Sequence, residues 1–120
     1  MPGQREWSFY QGADGSAPVQ KELQKADLAP HERARLFVLL NRVKDRQTLP
    51  GDVKDLGGDL LEVRLTGDHR TFRLLYAEES AGLVLLALSF FQKKSQKTPS
   101  NERSAAARRL REWRRREPNG

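Results

Sequence analysis

The sequence predicts an α+β domain, and three observations carry that prediction. Two apolar stripes of helical period follow Pro18 and Pro30, the apolar period switches to two from Leu60 onward, and Pro99 starts a final arginine-rich helix.

Taken in order, Trp7 to Tyr10 is a short aromatic segment suited to a first strand, and QGADGSAP behind it is turn chemistry. Pro18, whose fixed φ suits the first helical position, opens a helix with Val19, Leu23 and Ala26 on one face. A second helix follows Pro30. Its Glu32 complements the positive end of the helix dipole, and Leu36, Phe37, Leu40 and Val43 form its stripe, so that the pair reads as a helical hairpin. LPGDVKDLGGD reads as turns. Leu61, Val63 and Leu65 then share one face of a strand with Glu62 and Arg64 on the other, Gly67 and Asp68 turn the chain, and Thr71 to Tyr76 returns as its partner. Beyond EESAG, Leu83 to Phe91 is apolar on both faces and is expected to be the central strand. Thr98 is the expected N-cap of the last helix, with the body SNERSAAARRLREW.

A chain of 120 residues holds one core. We read a single domain over 1–113 and a basic tail, 114–120, that the domain need not order. Cysteine is absent, which excludes disulfides and thiolate metal sites and fits a reducing compartment. The start, MPGQREWSFY, mixes charges with aromatics and is not expected to serve as a signal peptide, while the apolar run Leu83 to Leu88 is too short to cross a bilayer. A cytoplasmic protein without a membrane partner is expected. The net charge of +6 is unevenly placed: residues 92–120 carry ten Lys and Arg against three Glu, and residues 1–91 twelve against thirteen acids. One basic end on a neutral body suits a polyanion, nucleic acid before membrane; it equally suits a solubilising tail.

The hairpin concentrates the same question. With an even loop, Arg64 and Arg73 share a face, directly opposite or diagonal, and like charges so placed need a counter-charge. Glu62 can supply it from within, since a two-residue turn would set it opposite Arg73. A phosphate held between two guanidinium forks can supply it from outside. Lys93, Lys94 and Lys97 leave the end of the long apolar strand beside these arginines, and Phe90 or Phe91 sits at the same rim, placed either to stack on a base or to fill the core.

Other chemistry is sparse. His31 and His69 match no metal-ligand spacing and no triad, and read as solvated surface residues, with His69 a candidate proton carrier because it lies on the arginine hairpin. No phosphate loop, dinucleotide fingerprint or nucleophile elbow occurs, and neither cofactor nor metal is expected. RNA brings its own nucleophile, the 2′-OH, so an enzyme has only to orient it, accept a proton and neutralise the charge growing on phosphorus. A crowded lysine of lowered pKa, or Tyr76, could assist the proton transfer.

GGDLLEVRLTGDHRTFRLLY followed by LVLLALSFFQKKSQKTPSNERSAAARRLREW resembles the RelE/ParE superfamily of toxins, in its phage-type, HigB-like branch. The resemblance runs from about Asp52 to Trp113. It rests on Glu62, Val63 and Arg64, on Arg73, and on Phe91, Lys93, Lys94, Lys97, Thr98 and Pro99 in that order. It implies a helical hairpin packed on a small, mainly antiparallel sheet with a C-terminal helix. It also implies a metal-independent, ribosome-dependent mRNA endonuclease, neutralised by a cognate antitoxin that is commonly a helix-turn-helix protein. Arg64, Arg73, Lys93 and Lys94 correspond to the catalytic cations and Lys97 to a peripheral contact. Phe91, Arg70, Arg108 and Arg109 complete the expected RNA-binding set. Well-studied HigB proteins use histidine and acidic residues near the C-terminus, whereas this chain has no histidine after His69. Members of the same fold that bind DNA gyrase or only a protein partner offer a second reading, although in them the cation set is depleted.

Overall fold

The computed structural model describes residues 4–94 and 98–117. Strand β1 (Glu6–Phe9) is followed by helices α1 (Pro18–Ala26) and α2 (Pro30–Lys44), then by β2 (Val53–Gly57), β3 (Leu60–Thr66), β4 (Thr71–Glu79), β5 (Val84–Lys93) and α3 (Ser100–Arg116). The five strands form one sheet in the order β1-β5-β4-β3-β2, antiparallel except for β1, which runs parallel to β5.

The prolines start α1 and α2 as their fixed φ dictates. In α2 the Glu32 carboxylate accepts from the Ala29 N–H at 2.9 Å, satisfying one of the first turn's free donors. Leu36, Leu39 and Val43 are the buried apolar residues of α2, and Phe37, assigned to its stripe by period, is 67% exposed. A stripe can advance by three or by four residues, and packing against the sheet selected three from Leu36 to Leu39 and four from Leu39 to Val43. β2 lies where the sequence reads as turns. It is an edge strand ending in a glycine-rich hairpin, and Gly58 and Asp59 hold the positive φ that the two-residue turn to β3 requires. β4 is the middle strand. β5 lies inside the sheet beside it, with Leu85, Leu86, Ala87 and Leu88 fully buried.

Register parity separates two faces. Val63, Leu65, Phe72, Leu74 and Tyr76 point to the side covered by α2, where Phe72 stacks on Phe90 and Trp7 meets Tyr76 edge-on. Glu62, Arg64, Arg73, Leu75 and Ser89 point to the other side, where α3 lies and the Ser89 hydroxyl donates to Glu102 at 2.8 Å. β1 covers only the first part of β5, so side chains take over the rest of that edge. The Glu22 carboxylate accepts from the Phe90 N–H at 2.9 Å, and Arg109 Nη1 donates to the Leu88 carbonyl at 2.7 Å. Helix α3 continues past Trp113 to Arg116, held by Arg114 on Glu79 and Asp59.

Candidate nucleic-acid site on the sheet

Arg64 and Arg73 are directly opposite one another in the β3–β4 ladder. The connecting loop runs from Gly67 to Arg70, closed by a Gly67 N–H to Arg70 carbonyl bond of 2.8 Å. Its even length keeps both arginines on the α3 face. Glu62, one of the most buried side chains at 1% exposure, is opposite Leu75 and therefore diagonal to Arg73. Its Oε1 is 3.3 Å from Arg73 Nε and 4.0 Å from Arg64 Nε, and its Oε2 accepts from the Thr98 hydroxyl. The approach to Arg73 Nε is close enough for a charge pair but lies off the hydrogen-bond direction, since that N–H finds no aligned acceptor. Arg73 Nη1 donates to the Phe72 carbonyl at 3.0 Å, which orients the guanidinium along the strand. Arg73 is 5% exposed, whereas 40% of the Arg64 side chain is open to solvent.

Lys93 ends β5 opposite Thr71, one same-face step beyond the Arg73 and Phe91 pair. Partial burial pushes its ammonium below the usual lysine value, and the neighbouring charges of Arg73, Arg64 and Lys54 push the same way against Glu62. Burial likewise lowers Arg73, with Arg64 adding to it and Glu62 opposing. The internal and the external counter-charge thus both have a place. One buried carboxylate stands among Arg64, Arg73 and Lys93, leaving an excess of positive charge facing out.

The remaining expected residues divide. Lys94 is exposed just beyond β5, lining a hollow of about 400 Å³ with Phe91, Gln92, Glu22 and Glu102. Phe91 is only 9% exposed and Phe90 belongs to the core, so neither offers an open ring face. Arg70 is spent on structure: it pairs with Glu32, donates to the Ala26 and Asp27 carbonyls at 3.1 Å each, and lies over the Phe72 ring. Arg109 is held by Glu22 at 3.0 Å, while Arg108 is exposed on α3. Lys97 lies outside the described residues. Tyr76 is on the opposite face with its hydroxyl pushed up to about 12, first by burial and then by Glu78, which removes it as a proton carrier for this site. His31 and His69 are exposed.

One cation escaped the sequence reading. Lys54 on β2 is opposite Glu62 and so joins the same face. The alternation of Val53, Lys54 and Asp55 beside the Gly58–Asp59 turn was the signal for it.

The chain matches the family described as phage-derived protein Gp49-like over residues 21–111. It is 34% identical over 110 residues to the probable endoribonuclease HigB1 of Mycobacterium tuberculosis, in strains CDC 1551 and H37Rv, covering 91% of this chain and 85% of the relative. In structure it is similar to the free state of an arginine-substituted mutant of E. coli toxin RelE, with a TM-score of 0.58 at 17% identity, over 90% of this chain and 99% of that one.

Proposed function

The chain belongs to the phage-derived Gp49-like family, in the HigB-like branch of the RelE/ParE toxins, and on that premise we propose that it is a toxin of a toxin–antitoxin pair, an endoribonuclease that cuts mRNA. The observation that carries this reading is the gathering of Arg64, Arg73 and Lys93 on one sheet face around the buried Glu62.

In the proposed reaction the 2′-OH oxygen attacks the adjacent phosphorus while the P–O5′ bond breaks. The products are a 2′,3′-cyclic phosphate and a free 5′-OH. Lys93, its pKa lowered by burial and by Arg73, accepts the 2′ proton. Arg64, the exposed member of the pair, faces the equatorial oxygens, where negative charge grows, the buried Arg73 adds its charge from beneath, and Lys94 supplies the proton that the leaving O5′ needs. No group of three or more His, Asp or Glu residues placed to hold a metal ion occurs among the described residues, and this scheme draws on none.

The partners that fit are translating mRNA on the ribosome and a cognate antitoxin of the helix-turn-helix type. No helix among the described residues is long and apolar enough to cross a membrane, and a cytoplasmic site of action is part of the proposal. End-group analysis of message cut in a ribosome-containing translation reaction supplied with the purified chain tests the chemistry. A 2′,3′-cyclic phosphate that disappears in Arg64→Gln is expected, and a 5′-phosphate product contradicts the scheme.

A further inference from the structure

Helix α3 sorts its arginines into two sets. In the set tied to acceptors, Arg103 donates to the Leu56 carbonyl at 2.6 Å, Arg109 holds Glu22 at 3.0 Å, Arg114 holds Glu79 at 2.7 Å and Asp59 at 3.2 Å, and Arg116 is tied to Glu112. Outward, Arg108, Arg111 and Arg115 are exposed, and among the described residues none of them pairs with a carboxylate. Their steps of three and four residues put them on one stripe, where like charges repel. The helix brings no acid to that stripe. Glu102 is drawn inward by Ser89 and Glu112 by the Tyr10 hydroxyl at 2.6 Å. A hollow of about 490 Å³ is lined by Arg108, Arg111, Arg114 and Arg115.

We infer that the Arg108, Arg111 and Arg115 stripe is a second anion-binding surface, separate from the strand cations, that holds the phosphodiester backbone of RNA. Guanidinium forks match phosphate oxygens bidentately, and each arginine of the stripe is exposed. A protein partner would bring an apolar anchor to a matching apolar patch, and this stripe consists of arginines. The path is continuous. α3 begins beside the site, where Thr98 reaches Glu62, and ends by Glu79 and Asp59 at the other end of the strands. A strand leaving Lys93 and Arg64 therefore runs along the helix and is gripped there. The inference rests on the proposed function only in naming the polyanion as RNA.

Fluorescence anisotropy of the full chain with a labelled RNA hairpin, 2′-O-methylated so that it cannot be cut, tests it across a salt series. Arg108→Gln, Arg111→Gln and Arg115→Gln together are expected to weaken binding at least tenfold at low salt and to reduce the slope of log affinity against log salt by about 2. Lysine at the same three positions should keep most of the slope. Should the glutamine triple lose helix content, Arg108→Gln alone carries the test, with about a threefold loss expected. Unchanged affinity and slope overturn the inference. So does retained RNA binding with lost antitoxin binding, which would make the stripe a protein-docking surface. An unmodified chain that binds this RNA through the stripe yet leaves translated message intact contradicts the nuclease reading and leaves the stripe standing.

Discussion

Arg73 Nε and Glu62 Oε1 lie 3.3 Å apart between two side chains that are almost wholly buried, in the middle of the sheet face that carries the other cations. The pair therefore has two consequences that can be measured apart. Arg73→Ala should lower RNA cleavage by at least about a hundredfold, since it removes a preorganised cation from the reacting phosphate. It should also cost about 3 kcal/mol of stability, because it strands the Glu62 carboxylate without its partner. Glu62→Leu combined with Arg73→Met should recover most of that stability in urea denaturation and none of the activity. Recovery of both would place Arg73 outside the chemistry.

Lys93 sets the expected pH dependence of the reaction. Its pKa is lowered from the ordinary 10.5, first by burial and next by Arg73, so a larger share of it is neutral at a given pH than of a solvated lysine. As acceptor of the 2′ proton it works in the neutral form, so cleavage should rise with pH and level off below 10.5. Lys93→Arg keeps the charge but stays protonated, and should flatten this limb while RNA binding stays within a few fold. A profile with the same rising limb in that variant would assign the proton to another group.

Arg70 tests the separation of structure from function on the hairpin. Its hydrogen bonds to Glu32, Ala26 and Asp27 clip the loop between α1 and α2 to the β3–β4 turn. Arg70→Ala should lower stability through the acceptors and the carboxylate it leaves unpaired, yet change the cleavage rate of the folded protein by less than about threefold. A hundredfold loss of activity at full stability would return Arg70 to the RNA-binding set.

The same clip gives the fold an acid limit. The Glu32 carboxyl is lowered first by its bond from Arg70 and next by the Ala29 N–H, and the Glu112 carboxyl by Tyr10 and then Arg116. For such groups the folded value lies below the unfolded one of about 4.3, so their stabilisation is complete above that pH and is lost as pH falls through the folded value. Melting temperature should hold from pH 7 to about 5 and drop below about 4, less steeply in Glu32→Gln. A melting curve of equal steepness in that variant would remove Glu32 as a cause.

What the sequence disclosed follows the range of the physics involved. The prolines at α1 and α2, the alternation of β3 and the shared face of Arg64 and Arg73 are set within a few residues, by fixed φ, by period and by loop parity. Lys54 went unseen because β2 is a short edge strand whose glycines and aspartates imitate a loop, and only its pairing with β3 gives Lys54 a face. Arg70 and Arg109 read as free cations in the sequence because their partners, Glu32 and Glu22, are 38 and 87 residues away. Leu39 replaced Phe37 in the core since the sheet, not the helix, decides which advance of the stripe is buried.

Primer extension on a defined mRNA in a purified translation reaction, with and without ribosomes, tests whether the chain cuts message during translation. Cuts are expected on the translated message with the unmodified chain, and none with Arg73→Lys at matched concentration. Intact translated message with folded, unmodified protein present would contradict the proposed function.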